Sequence, residues 1–124
     1  MQFFEVVERL SVRLNVPELV PGPCGICAVR LDDLVVTFRH DPAARAFSVS
    51  SPLGVVNAWE EEPMRALLAE RGHAPMRISC GADGRVEASQ RFSLPELSFD
   101  AFYRALERFV NEADHWRARV RRGF

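Results

Sequence analysis

Residues 24–40, CGICAVRLDDLVVTFRH, restrict the fold more than any other stretch of the chain. Two extended runs flank Asp32 and Asp33. If those two residues form a hairpin loop, Leu31 pairs with Leu34, Val29 with Val36 and Cys27 with Phe38. That register makes one face wholly apolar, and the two-residue alternation of a strand sends the remaining side chains to the other. The register therefore supports itself, although Asp-Asp is a weaker turn signal than Asn-Gly. The second face carries Ile26, Ala28, Arg30, Val35, Thr37 and Arg39, half apolar with cationic sites. An apolar sheet face requires a cover, and both ends of the chain supply one.

The closing segment reads as a long helix over residues 99–122. Ser98 is a good N-cap, Leu97 and Phe102 suit a hydrophobic staple, and Asp100 falls in the first turn. Phe102, Leu106, Phe109, Val110, Ala113, Trp116 and Val120, with Phe99 and Tyr103, form a wide apolar stripe fit to lie flat on a sheet. The opening segment reads as a helix over residues 2–14, with Phe3, Val7, Leu10 and Leu14 on one stripe and Pro17 as its stop. On the same wheel Phe4 lies about a quarter turn from the stripe and Val12 about half a turn, so neither can join the main core face.

Between these ends, DPAAR makes a turn, and Phe47 and Val49 alternate with Ser48 and Ser50 as a third strand. SPLGVVNAW, with a Pro and a Gly, reads as a connector. Pro63 suits the first position of a short helix over residues 63–71, with Glu60, Glu61 and Glu62 ahead of it and Gly72 past its end. Met64, Leu67 and Leu68 form that helix's apolar face. MRISC and RVEASQRF then make a second hairpin, whose apolar parities agree only if the loop takes five residues, which predicts a bulge near Arg85. The order is α-β-β-β-α-β-β-α, an α+β fold with a twisted antiparallel sheet flanked by helices.

The 124 residues, 48% of them apolar, are expected to form one domain over residues 1–124. Every basic residue is Arg, with no Lys, which codon bias in a GC-rich genome explains more readily than function. The net charge of −1 argues against nucleic acid or an anionic membrane as partner. Arg117, Arg119, Arg121 and Arg122 sit where cations complement the end of the last helix. No apolar run approaches the roughly 18 residues of a membrane span, the first residues do not resemble a signal peptide, and three cysteines cannot all pair in one chain. A cytoplasmic location follows as the expectation.

No catalytic, metal or cofactor signature stands out. Cys24-Gly25-Ile26-Cys27 has redox or zinc spacing, but extended residues follow it in place of a helix. In a strand, residues three apart face opposite ways. No second ligand pair accompanies it, only Cys80 and the scattered His40, His73 and His115. The histidines suit surface or satisfied core positions, and Glu60, Glu61 and Glu62 suit a solvated helix start. Trp59 and Trp116 suit packing, and Arg117 suits a snorkelling stem or an ion pair with an acid. The excess of apolar surface on Phe4, Val12, the second hairpin face and the short helix points to a binding protein, a dimer by expectation, more than to an enzyme.

The whole chain resembles the class I type III secretion chaperones, the Tir chaperone (CesT-like) family of small bacterial proteins. The resemblance rests on the opening helix, CGICAVRLDDLVVTF, FSVSSPLGVV, MRALLAERG, MRISCGADGRVEASQRF and LSFDAFYRALERFVNEADHWRARV, in that order. It implies a cytoplasmic homodimer that binds the N-terminal region of a secreted effector in extended form and performs no chemistry. Some relatives pair as heterodimers with a similar chain, and that option stays open here. By position, the resemblance places the dimer contact on Met64, Leu67, Leu68 and Ile78, and effector binding on Phe4, Val12, Ile26, Val35 and Thr37. A non-secretion adaptor or regulatory module on the same dimeric fold is the alternative, and a small thiol-dependent enzyme is a third reading. The near-neutral charge departs from the acidic character common in the family.

Overall fold

The structure, a computed structural model, describes residues 1–57, 61–70 and 75–122. Trp59, Glu60, Gly72 and His73, and the side chains of Glu61, Leu67 and Leu68, lie outside the described residues, so expectations on them have no structural counterpart here. The elements run α1 (Phe3–Leu14), β1 (Ile26–Leu31), β2 (Leu34–Asp41), β3 (Ala46–Val55), α2 (Glu61–Glu70), β4 (Arg77–Cys80), β5 (Arg85–Ser93) and α3 (Phe99–Arg122). The five strands form one antiparallel sheet in the order β1-β2-β3-β5-β4. The element order and fold class match the expectation.

The first hairpin has the expected register, with Leu31↔Leu34, Val29↔Val36 and Cys27↔Phe38. Its loop turns because Asp32 takes a left-handed conformation (φ 55), which short polar side chains tolerate. The second hairpin pairs Cys80 with Val86 across five residues. Gly84 (φ 81) supplies the bulge just before Arg85. Its amide donates to the Gly81 carbonyl (3.0 Å), and its carbonyl accepts from the Val56 amide (2.8 Å). A Cβ at this position would lie 2.4 Å from the Val56 carbonyl oxygen, so the turn requires glycine.

The core lies between the sheet and the two long helices. Phe3 from α1, Phe47 from β3, Phe92 from β5 and Phe102 from α3 meet with ring centroids 5.1–5.4 Å apart, Phe47 and Phe92 stacked and Phe102 edge-on to both. These geometries add about 0.5–1.5 kcal/mol per pair to the burial of the rings. Phe102, Leu106, Phe109, Ala113, Trp116 and Val120 of α3 are buried, with Phe99, Tyr103 and Val110 packed at the margin. Ser98 caps the helix, its Oγ accepting from the Ala101 amide at 3.1 Å.

Two boundaries differ from the sequence expectation, while helix α1 ends at Leu14 as expected. It is closed by Asn15, which takes the left-handed C-cap conformation (φ 56) two residues before Pro17. Its buried stripe also includes Val6. The expected connector SPLGVVNAW is in part strand: β3 continues to Val55, paired with β5 through a bulge between Pro52 and Gly54. Proline survives there because the ladder with β2 has already ended at Thr37↔Ser50, so no partner on that side is deprived of a donor. Helix α2 starts at Glu61, which makes Pro63 its third residue. The first-turn amides of a helix have no internal acceptor, so the missing N–H costs nothing at that point either.

Candidate protein-binding surfaces

Both long helices pack on the same face of the sheet, because the core rings of α1 and α3 both reach Phe47. The buried strand residues Cys27, Val29, Val36, Phe38, Phe47, Val49, Val86 and Ala88 point to the helices, and their alternates point away. That outer face is half-buried or exposed from β1 to β4, and no described element covers it. Ile26, Val35 and Thr37 stand on it, Ile26 36% and Val35 45% exposed.

Phe4 and Val12 lie elsewhere. Phe4 is 57% exposed on α1 and meets the His40 ring edge-on (6.4 Å), while Phe3 stacks on the same imidazole at 4.7 Å. His40 is held where the chain enters β1, its backbone amide donating to the Gly25 carbonyl at 2.8 Å. Gly25 (φ 70) allows that approach, since a Cβ would stand 2.9 Å from the His40 Cβ. Val12, 77% exposed, borders an open depression between α1 and α3 with Arg9, Arg13 and Phe99. The five positions assigned to effector binding therefore occupy three patches: Phe4 at the start of α1, Val12 between the helices, and Ile26, Val35 and Thr37 on the outer sheet.

On the other flank, Met64 is fully buried and anchors α2 to the core, while Ile78 is half-buried on β4 against it. β4 and β1 are the two sheet edges, each paired on one side only.

Two features were not anticipated. A cavity of about 240 Å³ opens between the end of α1, the first hairpin and α3, lined by Leu14, Leu31, Tyr103, Leu106 and Val110. The Arg13 guanidinium lies 4.4 Å from the centre of the Tyr103 ring beside it. Val55, 65% exposed, adds an apolar side chain at the end of β3, where the Pro and Gly had suggested a loop. The signal was present in the pair Val55-Val56 after Gly54.

Electrostatic features are few. Arg117, its side chain only 14% exposed, ties α3 to the first hairpin loop. It donates to the Asp114 carboxylate at 3.1 Å and to the Asp33 carbonyl at 3.3 Å. The bond from Arg91 to Asp41 (2.8 Å) holds the Asp41 carboxyl below its usual range. Of the CxxC pair, Cys24 is exposed and Cys27 is buried, and burial pushes the Cys27 thiol up to about 11. Among the described residues no group of three His, Cys, Asp or Glu side chains is placed to hold a metal ion, and no helix is long and apolar enough to cross a membrane.

Among the described elements, the two long helices cover one face of the open antiparallel sheet, and apolar side chains stay exposed on both layers. The Tir chaperone protein (CesT) family model matches residues 5–117, and the chain belongs to that family. Three solved structures place its fold. A chain of the ExsC–ExsE complex superposes with a TM-score of 0.79 at 12% identity, over 97% of this chain and 97% of that one. A chain of the Yersinia pestis type III secretion chaperone SycH in complex with a stable fragment of YscM2 gives 0.76 at 14% identity, over 93% and 99%. A chain of the HopA1–SchA chaperone–effector complex gives 0.77 at 19% identity, over 94% of each. A comparison with curated protein sequences finds no significant match.

Proposed function

We propose that this chaperone works in the bacterial cytoplasm as a homodimer, binding the N-terminal chaperone-binding region of a secreted effector in extended form and keeping it stable and secretion-competent. It performs no chemistry itself. The family match over residues 5–117 carries this reading. The pairing of SchA with HopA1 as chaperone and effector on the same fold supports it.

The physical means are visible in the chain. The free edge of β1 offers main-chain groups to an extended client, which gives affinity tolerant of client sequence. Exposed apolar side chains, Ile26 and Val35 on the outer sheet face and Phe4 in its own patch on α1, offer burial to client side chains, and Thr37 adds a hydroxyl. Val12 extends the contact along α1. The dimer contact falls on α2 and β4, with Met64 seating the helix and Leu67, Leu68 and Ile78 supplying the surface.

The double variant Phe4→Asp with Val35→Asp tests this assignment. Both side chains are about half exposed, so circular dichroism and solution mass should stay those of the wild type. Client co-purification should be lost, because two apolar contacts worth about 1.5–3 kcal/mol each are replaced by charge. Unchanged client binding would reject these positions.

A further inference from the structure

Beside Ile26 and Val35, the outer sheet face carries a row of hydroxyl and guanidinium groups of which the proposed client contacts use only Thr37. Through the registers Ala28↔Thr37, Thr37↔Ser50, Ser50↔Ser89 and Arg77↔Ser89, one row of small side chains crosses all five strands and ends on an arginine. The hydroxyls of Thr37, Ser50 and Ser89 have no side-chain hydrogen bond to any described residue. The row spans four inter-strand steps of about 4.8 Å, which equals roughly six extended residues.

Charge on this face is one-sided. Arg85 and Arg91 are committed to Asp83 (3.3 Å) and Asp41 (2.8 Å). Arg30, Arg39 and Arg77 are exposed and make no ion pair with a described residue. Arg39 borders the row on one side and Arg30 on the other, while Arg77 closes its far end. The one acid on the face without a partner is Glu87, next to Arg77's strand. Three guanidinium groups without an ion pair to a described residue therefore stand around a row of hydroxyls that have no side-chain hydrogen bond to a described residue.

We propose that this row binds an acidic, extended segment of the client, laid across the strands. Its carboxylates pair with Arg30, Arg39 and Arg77, and its backbone carbonyls accept from Thr37, Ser50 and Ser89. Guanidinium groups favour carboxylate through paired donors, and the small row lets a backbone approach the sheet closely. A peptide fits better than a nucleic acid, because the free charges are three, widely spaced, and accompanied by Glu87 and by apolar Ile26 and Val35. The inference rests on the chaperone reading only for the source of the segment.

A synthetic probe keeps the two separable. Fluorescence anisotropy with a labelled peptide of alternating serine and glutamate, long enough to cross the sheet, should show binding that weakens as salt rises. A matched serine–lysine peptide should not bind. The triple variant Arg30→Glu, Arg39→Glu, Arg77→Glu should weaken the acidic peptide roughly tenfold or more, and the Arg→Gln triple by less. Equal binding of both peptides, an unaffected charge-reversal variant with a wild-type melting curve, or displacement of the acidic peptide by a short DNA duplex would overturn the proposal. So would a change in solution mass with peptide binding unchanged, which would assign the face to a second copy of the chain. None of these outcomes depends on whether a natural client co-purifies.

Discussion

At position 27 a thiol fills a place where the first hairpin needs an apolar side chain. Cys27 is buried opposite Phe38, and a thiol there packs as a small hydrophobe. Its raised pKa, about 11, keeps it protonated and unreactive at neutral pH. Cys24 precedes the strand beyond the Gly25 turn and faces solvent. Strand alternation had anticipated that the two sulfurs would diverge, but the turn at Gly25 produces the divergence, because β1 begins only at Ile26. In a Cys80→Ser background, which removes the half-exposed third thiol, a thiol-exchange dye at about pH 8 should label Cys24 rapidly and reach Cys27 only after denaturant opens the core. Adding Cys24→Ser should remove that rapid labelling. Rapid labelling of Cys27 in the native protein would contradict its burial and reopen a thiol chemistry for the pair.

Among the elements, α3 depends most on a local sequence signal. Its first turn is closed by Ser98, and the helix then covers the sheet with six buried side chains. Ser98→Ala should lower unfolding stability by about 1 kcal/mol in urea, and Ser98→Asp should largely retain it. The same scale shows how much of the fold could be read in advance. The first hairpin was legible to the residue because a two-residue loop at Asp32 and Asp33 puts Leu31, Val29 and Cys27 opposite Leu34, Val36 and Phe38, one apolar face throughout. The ends of elements were less so. The end of α1 at Leu14 agreed with its apolar stripe, although the left-handed cap at Asn15, ahead of Pro17, was not foreseen. Pro52 and Gly54 looked like loop residues, yet β3 runs on through a bulge because β5 pairs with it there while β2 does not. Local propensity cannot see which neighbour a strand will lose. For the same reason the candidate surfaces were legible as exposed residues, but their division into three patches was not, since it depends on both helices sharing one face of the sheet.

For the molecule as a whole, the apolar content divides between a core holding six buried phenylalanines and side chains left largely exposed. Phe4, Val12, Ile26, Val35 and Val55 remain exposed after both long helices have docked. On the proposed function, a client segment and a second copy would cover what the monomer leaves open. The near-neutral total charge likewise leaves Arg30, Arg39 and Arg77 on the outer sheet without an ion pair to a described residue. The direct test is co-expression with the N-terminal region of the protein encoded beside this chain, followed by purification and light scattering. The predicted result is a stable complex of two chaperone chains with one client chain. A client that fails to co-purify, or a chaperone that remains monomeric, would contradict the account.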